Sequence, residues 1–439
     1  MKNFIIIPDE VIENIFIKLP AKSILRFKSI SKYWHSVLSS QRFAASHSHY
    51  HHLNENEYSL VLIEDDAINI VDYSSLQIGK QPLDETKPVP VFAKKHSFPP
   101  PLQIFPSSWR DGSSGRLYVY SGRKTEFFCY CNGMLCIDST YFLHYEGNDV
   151  NVPYDDRFLH DHVTVLWNPC TNEYRELPKL AGYPKPNSAV SLRFLGFVYD
   201  STNSDYKVIR VESHYSAEII TTLDVFSLKS NLWTRMADNL PYIGREAMII
   251  NDDFFWLKRN RGIPDLKTYR ETMMMLHGQI DVDEEEYFTR LRTKEKLFCF
   301  NFTTKLITEL ELPHMGENCN YSQTETFASL ATNCLSFLAN NGDLWLFKDG
   351  SWMNYVTIHP SFPREIGGVF YMKPLFFTKH NSIVMHASIT DSTDEVSGRS
   401  SVQVIYHPQH SSFTVYRVHG LQTPCDRILF YNHTLVSPL

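Results

Sequence analysis

The sequence predicts an α+β molecule in two parts: a small three-helix head, then an all-β propeller of six blades, or seven if residues 88–122 supply strands for another. Three observations predict it. Apolar residues repeat at helical steps as far as about residue 45. From about residue 58 they alternate instead, and aromatic and β-branched residues rise. A strand–turn–strand pattern then recurs through the rest of the chain, with starts 58, 74, 47 and 58 residues apart. The division expected is 1–47 for the head, 48–57 for a linker and 58–439 for the propeller.

The head opens on Ile7-Pro8-Asp9-Glu10. Proline in a first helical turn gives up an N–H that has no partner there, and two acids suit the positive end of the helix dipole. Val11, Ile12, Ile15, Phe16 and Leu19 then form one apolar stripe, with Glu10, Glu13, Asn14 and Lys18 between them, and Pro20 stops the helix. Ile24, Leu25, Phe27 and Ile30 make a second stripe, with Lys22, Arg26 and Lys28 on the other side. Ser31 can cap a third helix, in which Trp34, Val37 and Leu38 sit at i, i+3 and i+4. Three helices in some forty residues carry more apolar surface than so small a unit hides alone, so the surplus face wants a partner.

The body repeats an apolar strand, a turn of Asn, Thr, Ser, Lys, Gly or Pro, and a strand that often ends on an aromatic residue or Leu-Pro. Its five copies run from Val165 to Pro178, Leu223 to Met236, Leu297 to Pro313, Leu344 to Ile358 and Val402 to Val418. Each supplies two outer strands, and the inner strands precede it: Glu126 to Cys131 with Met134 to Asp138, Phe194 to Tyr199 with Tyr206 to Val211, and Ala247 to Asn251 with Phe254 to Leu257. Cys334 to Ala339 opens the fourth, and Val369 to Tyr371 with Ile383 to His386 open the fifth. Repeats near fifty residues that hold several strands read as kelch-like propeller blades. A sixth blade is expected from both ends of the body, with Tyr58 to Glu64 and Ile68 to Tyr73 joined by Arg427 to Val436, which would close the ring and remove exposed edges. The competing architecture is a β-sandwich or two separate sheets, because repeated hairpins alone do not fix closure.

From Ile7-Pro8-Asp9-Glu10-Val11-Ile12 through Leu19-Pro20, Lys22-Ser23-Ile24-Leu25-Arg26-Phe27 and Ile30-Ser31-Lys32 to Trp34, the head resembles the F-box. The resemblance implies docking on the Skp-type adaptor of a cullin ubiquitin ligase, with Pro8, Ile12, Ile15, Leu19, Pro20, Leu25, Phe27, Ile30 and Trp34 at the family's patterned positions. Ile7 departs from the family's usual Leu, a swap that keeps volume and apolarity. The body resembles the F-box-associated domain of plant F-box proteins. That likeness lies in Cys131-Asn132-Gly133-Met134-Leu135-Cys136, Trp167-Asn168-Pro169-Cys170-Thr171, Gly196-Phe197-Val198-Tyr199-Asp200 with Asp205-Tyr206-Lys207-Val208, and Asp224 to Leu228 with Trp233. Within that family the look of the body, with its closing Leu435-Val436-Ser437, is similar to the S-locus F-box and S-locus F-box-like proteins of pollen. That membership would imply an S-RNase target.

Charge follows the same division. Residues 1–42 hold seven Lys and Arg against three acids, a balance of +4, which leaves −11 for the remainder of a chain whose total is −7. A basic head favours an acidic partner surface, and an acidic body repels phosphate, which argues against nucleic acid. Phe4 to Ile7 is too short for a signal-peptide core, and no apolar run approaches a membrane span. A cytoplasmic location, also nuclear, is expected, and eight Cys then read as reduced thiols. The glycosylation-like triplets at Asn301, Asn320 and Asn432 would not meet their enzyme there.

Two insertions break the blade rhythm. Arg259 to Lys294 holds Arg259 and Arg261, the triplet Met273, Met274 and Met275, and the acidic run Asp281, Asp283, Glu284, Glu285 and Glu286. Loops on a rigid scaffold carry recognition and Met gives adaptable apolar contact, so these residues are the candidate substrate site; the alternative is a solvated loop. Asp391 to Ser401 reads as a flexible tip. No metal, cofactor or catalytic set is expected. His47, His49, His51 and His52 alternate with Ser and Tyr in an expected linker, and Cys129, Cys131 and Cys136 lack a second pair at zinc spacing. Asp200, Asp205, Asp343 and Asp349 fall at turns, where Asp serves turn chemistry.

The reading is therefore a ligase receptor without chemistry of its own, whose propeller holds a protein substrate, a basic one by charge, for ubiquitin transfer. The alternatives are an F-box scaffold that promotes no degradation and a propeller hydrolase with a hidden carboxylate pair.

Overall fold

Pro8 and Pro20 each stand just before a helix, where a residue without an N–H costs nothing. The computed structural model describes residues 7–52, 58–64, 67–72, 89–103, 108–112, 114–147, 152, 157–180, 185–186, 190–215, 219–241, 243, 247–250, 253–258, 296–313, 326–330, 334–339, 341–358, 368–378, 381–390, 399–419 and 427–439. In the head, α1 spans Asp9–Ile17, α2 Ala21–Phe27, α3 Lys32–Leu38 and α4 Gln41–His52. Ser31 caps α3 as expected, its hydroxyl accepting the Trp34 N–H at 3.1 Å.

The head has four helices rather than the three expected, and α4 crosses the boundary placed at residue 47. The reason lies in the spacing of the histidines. His47 and His51 are one turn apart and continue the buried face begun by Phe43 and Ala44. Their Nε2 atoms donate to Leu19 O and Ile17 O, both at 2.8 Å, carbonyls at the end of α1 that a helix cannot satisfy from within. Arg42 closes the bundle on both oxygens of Glu13, at 2.7 and 2.8 Å.

The body runs β1 (Tyr58–Ile63), β2 (Ala67–Asp72), β3 (Val89–Phe92), β4 (Lys94–Ser97), β5 (Ser108–Arg110), β6 (Leu117–Cys131), β7 (Met134–Tyr145), β8 (Phe158–Asn168), β9 (Glu173–Glu176) and β10 (Lys185–Pro186). It continues through β11 (Val190–Asp200), β12 (Asp205–Tyr215), β13 (Ile219–Ser227), β14 (Leu232–Ala237), β15 (Ala247–Ile250), β16 (Asp253–Lys258), β17 (Lys296–Asn301) and β18 (Ile307–Leu310). The last strands are β19 (Thr326–Leu330), β20 (Cys334–Leu338), β21 (Asp343–Lys348), β22 (Ser351–Thr357), β23 (Gly368–Phe377), β24 (Ile383–Thr390), β25 (Arg399–His407), β26 (Ser412–His419) and β27 (Ile428–Asn432).

Among the described residues these make six sheets: β27-β1-β2-β4, then β6 to β9 with β5 and β10 at the margins, then β11–β14, β15–β18, β19–β22, and β23–β26 with β3. Adjacent sheets meet through β27, β6, β11, β15, β19 and β23, which are therefore the innermost strands. Six apolar clusters fill the six gaps between sheets. One joins the last blade to the first, packing Leu375, Phe376 and Ile405 against Leu60, Leu62 and Val71. The remaining clusters join the other consecutive blades. A core in every gap is what a closed ring requires and a sandwich lacks, so the molecule is a six-bladed propeller.

Closure uses both ends of the body, as expected: β27 pairs antiparallel with β1, Tyr58 opposite Asn432 and Leu62 opposite Ile428. The stretch from 88 to 122 does contribute strands, but to blades already counted. β4 is the outer strand of blade 1, β5 pairs with β6, and β3 lies parallel to β26 on blade 6. The fourth copy opens one strand earlier than its sequence indicated, on β19 rather than at Cys334.

The turn of the first three copies has one construction. Asn172, Asn231 and Lys305 all have positive φ, and each N–H closes on the carbonyl four residues back, at Asn168, Ser227 and Asn301, all 2.8 Å. The side chain of that first residue accepts N–H groups inside the turn: Asn168 Oδ1 from Cys170 and Thr171, Ser227 Oγ from Ser230, Asn301 Oδ1 from Thr303 and Thr304. Short polar side chains that bind their own backbone explain the Asn, Ser and Thr of the repeat. Its aromatic has a role too. Trp233 Nε1 donates to Pro178 O at 2.7 Å and Trp352 Nε1 to Glu311 O at 2.8 Å, each tying an outer strand to the exit of the preceding blade.

Candidate docking surfaces

The helices of the head bury one face and leave another bare. Phe16, Ala21, Ile24, Leu38, Phe43 and Ala44 are buried in a common core. Of the nine residues expected to meet an adaptor, Ile12, Leu19, Leu25, Phe27 and Trp34 are half-buried against that core, while Pro8, Ile15, Pro20 and Ile30 are exposed. Ile15 is 50% and Ile30 58% exposed. Ile7 and Val11 continue the Ile15 stripe at one-turn intervals and are also exposed. Tyr33, which the sequence reading did not single out, is 54% exposed, its ring edge-on to Trp34 at 5.1 Å, and hydrogen bonding to Asp9 raises its hydroxyl pKa. The only signal for it was its position beside the patterned tryptophan. Val11 and Ile15 on α1, with Ile7 just before it, leave an unfilled apolar stripe in water.

The head sits at one end of the propeller. Its core includes Leu435, with Val436 and Cys170 against it, so it rests on the chain's last residues and on the β8–β9 turn. In a four-stranded meander the first and third turns share one end and the second opens at the other. The middle connections therefore lie opposite the head. Their described edges are the pairs Tyr215 with Ile219, Lys258 with Lys296, and Thr390 with Arg399. The candidate residues Arg259, Arg261, Met273, Met274, Met275, Asp281, Asp283, Glu284, Glu285 and Glu286 lie outside the described residues, as does most of the second insertion. Both insertions depart from and return to strand ends on that distal side.

A third group was not read from the sequence. Asp138 on β7 is fully buried; His162 Nδ1 donates to its Oδ2 at 2.9 Å, and Thr164 Oγ1 and Arg210 Nη1 donate to its Oδ1 at 2.6 and 3.2 Å. Arg210 Nε also donates to Glu212 at 2.6 Å. This polar knot links blade 2 to blade 3. Burial pushes the Asp138 carboxyl up, but His162 and Arg210 overcome it and hold it at about 2. A carboxylate so held is no proton donor at neutral pH, the part that glycoside hydrolysis asks of one member of its pair. The signal was present in Arg210 and Glu212, two positions apart on one strand and hence on one face, inside an apolar run. Asp200, Asp205, Asp343 and Asp349 do lie at strand ends and turns.

Three thiols near the same gap are held protonated by burial. Burial pushes Cys131 to about 12 and Cys170 to about 11, and Cys136 well above its ordinary value. Among the described residues no group of three or more His, Cys, Asp or Glu is placed to hold a metal, and no helix is long and apolar enough to cross a membrane.

The F-box domain family matches residues 4–45, and the F-box associated beta propeller domain family matches residues 154–437. The chain belongs to the F-box associated beta propeller family. The F-box match covers α1 to α3 and the first turn of α4, and β1 to β7 precede the propeller match, which takes in the ring-closing β27. Relatives in Arabidopsis thaliana include F-box protein CPR1, 22% identical over 86% of this chain and 79% of that one. F-box protein At1g52495 is 23% identical over 83% and 70%. F-box/kelch-repeat protein At2g43270 is 23% identical over 58% of this chain and 98% of its own length. Among solved structures, a fungal lectin of six-bladed beta-propeller fold is similar at a TM-score of 0.33 and 10% identity, over 73% of this chain and 96% of that one, too distant a likeness to support any argument.

Proposed function

We propose that this protein is the substrate-recognition subunit of a cullin ubiquitin ligase of the SCF type. The observation that carries the reading is the bare stripe of Val11 and Ile15 on α1 and Ile7 just before it, with Ile30 and Tyr33, on a head whose other face is already filled. An apolar surface of this kind suits a Skp-type adaptor, which would in turn bring the cullin, and the basic charge of the head suits an acidic partner. The propeller's distal side, opposite the F-box, then faces a protein substrate. The residues proposed to meet it are those of the 259–294 insertion. The chain supplies proximity rather than chemistry: it holds a substrate lysine at high effective concentration near the charged conjugating enzyme.

The setting is the cytoplasm or nucleus, where reduced thiols persist. The body's charge favours a basic substrate. A pollen S-RNase would satisfy that, but the motifs of the body that resemble the S-locus proteins are shared widely in the family, and the closing Leu435 and Val436 pack under the F-box.

Capture of a Skp-type adaptor by the purified full chain tests the reading. Leu19 is half-buried and Pro20 precedes α2, so substitutions there disturb the head itself; Ile15→Asp changes only the bare stripe. Wild type is expected to bind and Ile15→Asp to lose at least about tenfold in affinity, as for a central apolar anchor. Equal binding by both, or none by wild type, would refute it.

A further inference from the structure

We infer that the last seven residues form a latch that fixes the F-box rigidly to the propeller, with Asn168, Thr434 and Leu435 as its positioning residues. The chain leaves β27, the strand that closes the ring, and runs directly beneath the head. Asn168, fully buried, donates from Nδ2 to Thr434 O at 3.0 Å and to Val436 O at 2.8 Å. Thr434 Oγ1 donates to Asn132 O at 2.8 Å. Gly133 follows with φ +80°, and a Cβ there would stand 1.9 Å from Thr434 Oγ1, so the turn must be glycine for the tail to lie against it. Leu435, only 4% exposed, then enters the F-box core with Phe16, Ala21, Ile24 and Leu38.

Comparison among the blades isolates the device. Asn301 occupies in blade 4 the place that Asn168 has in blade 2, and caps its turn the same way. Its amide donates instead to Asp253 of its own blade at 2.8 Å. The cap belongs to the repeat; the grip on the tail belongs to blade 2. Asn132-Gly133 and Asn168 are thus held by a duty that no blade needs for itself. Because the tail continues the ring-closing strand, the F-box is anchored to the most constrained segment of the propeller, and a substrate on the distal side keeps a fixed distance from the adaptor. That consequence rests on the proposed ligase role; the latch itself does not.

Amide hydrogen exchange on the full chain separates the two. Leu435→Asp removes the apolar plug, and Thr434→Val removes one hydroxyl donor while keeping its shape and leaving the F-box core intact. Exchange in residues 433–437 and in α2 and α3 is expected to rise roughly fivefold in Thr434→Val, about what one hydrogen bond is worth, and at least tenfold in Leu435→Asp, with Leu435→Met near wild type. Blades 4 and 5 should not change. Unchanged exchange in the F-box helices, or an equal rise in blades 4 and 5, overturns the latch. In a ligase reconstituted with the adaptor, Thr434→Val should keep adaptor capture and slow ubiquitin transfer to propeller lysines several-fold; unchanged transfer overturns the positioning role. Failure of wild type to bind the adaptor would refute the receptor reading while the exchange result stood.

Discussion

Asp138, Arg210 and Glu212 form an ion group between blades 2 and 3, and all three are almost wholly buried. A buried ion group adds little over a well-packed apolar one, but removing one member is costly. Arg210→Met is therefore expected to destabilise by about 3–5 kcal/mol, read from urea unfolding, and Asp138→Asn in the same background should recover part of that loss. A cost under about 1 kcal/mol would show that the knot is not closed to water. The pH dependence has a definite sign. Asp138 is held at about 2, below an unfolded value of about 3.9, so its contribution is complete above about pH 4 and is lost as pH falls toward 2. Acid unfolding of wild type should steepen in that window, and of Asp138→Asn should not.

At the scale of elements, α1 shows how one helix serves two masters. Phe16 points into the head, its ring 5.1 Å from Trp34 and 5.2 Å from Phe27, while Ile15 next to it faces water. Phe16→Ala should therefore cost about 3–5 kcal/mol in the unfolding of the head, whereas Ile15→Asp should shift it by no more than about 0.5 kcal/mol. A large effect of Ile15→Asp on stability would mean that its stripe is packed rather than bare. Periodicity made both helix and hairpins legible, because a step of 3.6 or 2 follows from which face is buried. It failed where burial was served by polar residues. α4 buries histidines that bind carbonyls, and its alternation with Ser and Tyr imitated a linker. β4 and β5 are short polar strands added at blade margins, and β3 is apolar but carries Pro90, which argues against a strand. Asn132-Gly133 and Asn168 were visible as motifs, but their common partner, Thr434, lies some three hundred residues away, as the 302-residue separation of Thr434 from Asn132 shows, and no local pattern reports that.

For the whole molecule, the ring assigns its two ends different work. The F-box and the tail occupy the side of the first and third turns of each blade, while the connections after Lys258 and Thr390 open on the other. Six apolar clusters of described residues fill the gaps of the ring, and the strand ends Lys258, Lys296, Thr390 and Arg399 lie away from its head side. Replacing residues 259–294 with a short Gly-Ser connection is thus expected to leave adaptor capture intact and to shift the thermal midpoint by no more than a few degrees, since long surface loops cost little to close or remove. The same replacement should abolish retention of substrate. A protein captured by wild type but not by the shortened chain would be the substrate, and a basic one should also dissociate as salt rises, because a body of net charge −11 attracts it through a screened field. Undiminished capture after the replacement would move recognition to the 391–401 insertion or to the open end of the long β6–β7 pair, where Tyr118 and Leu143 pack with Leu159 of β8.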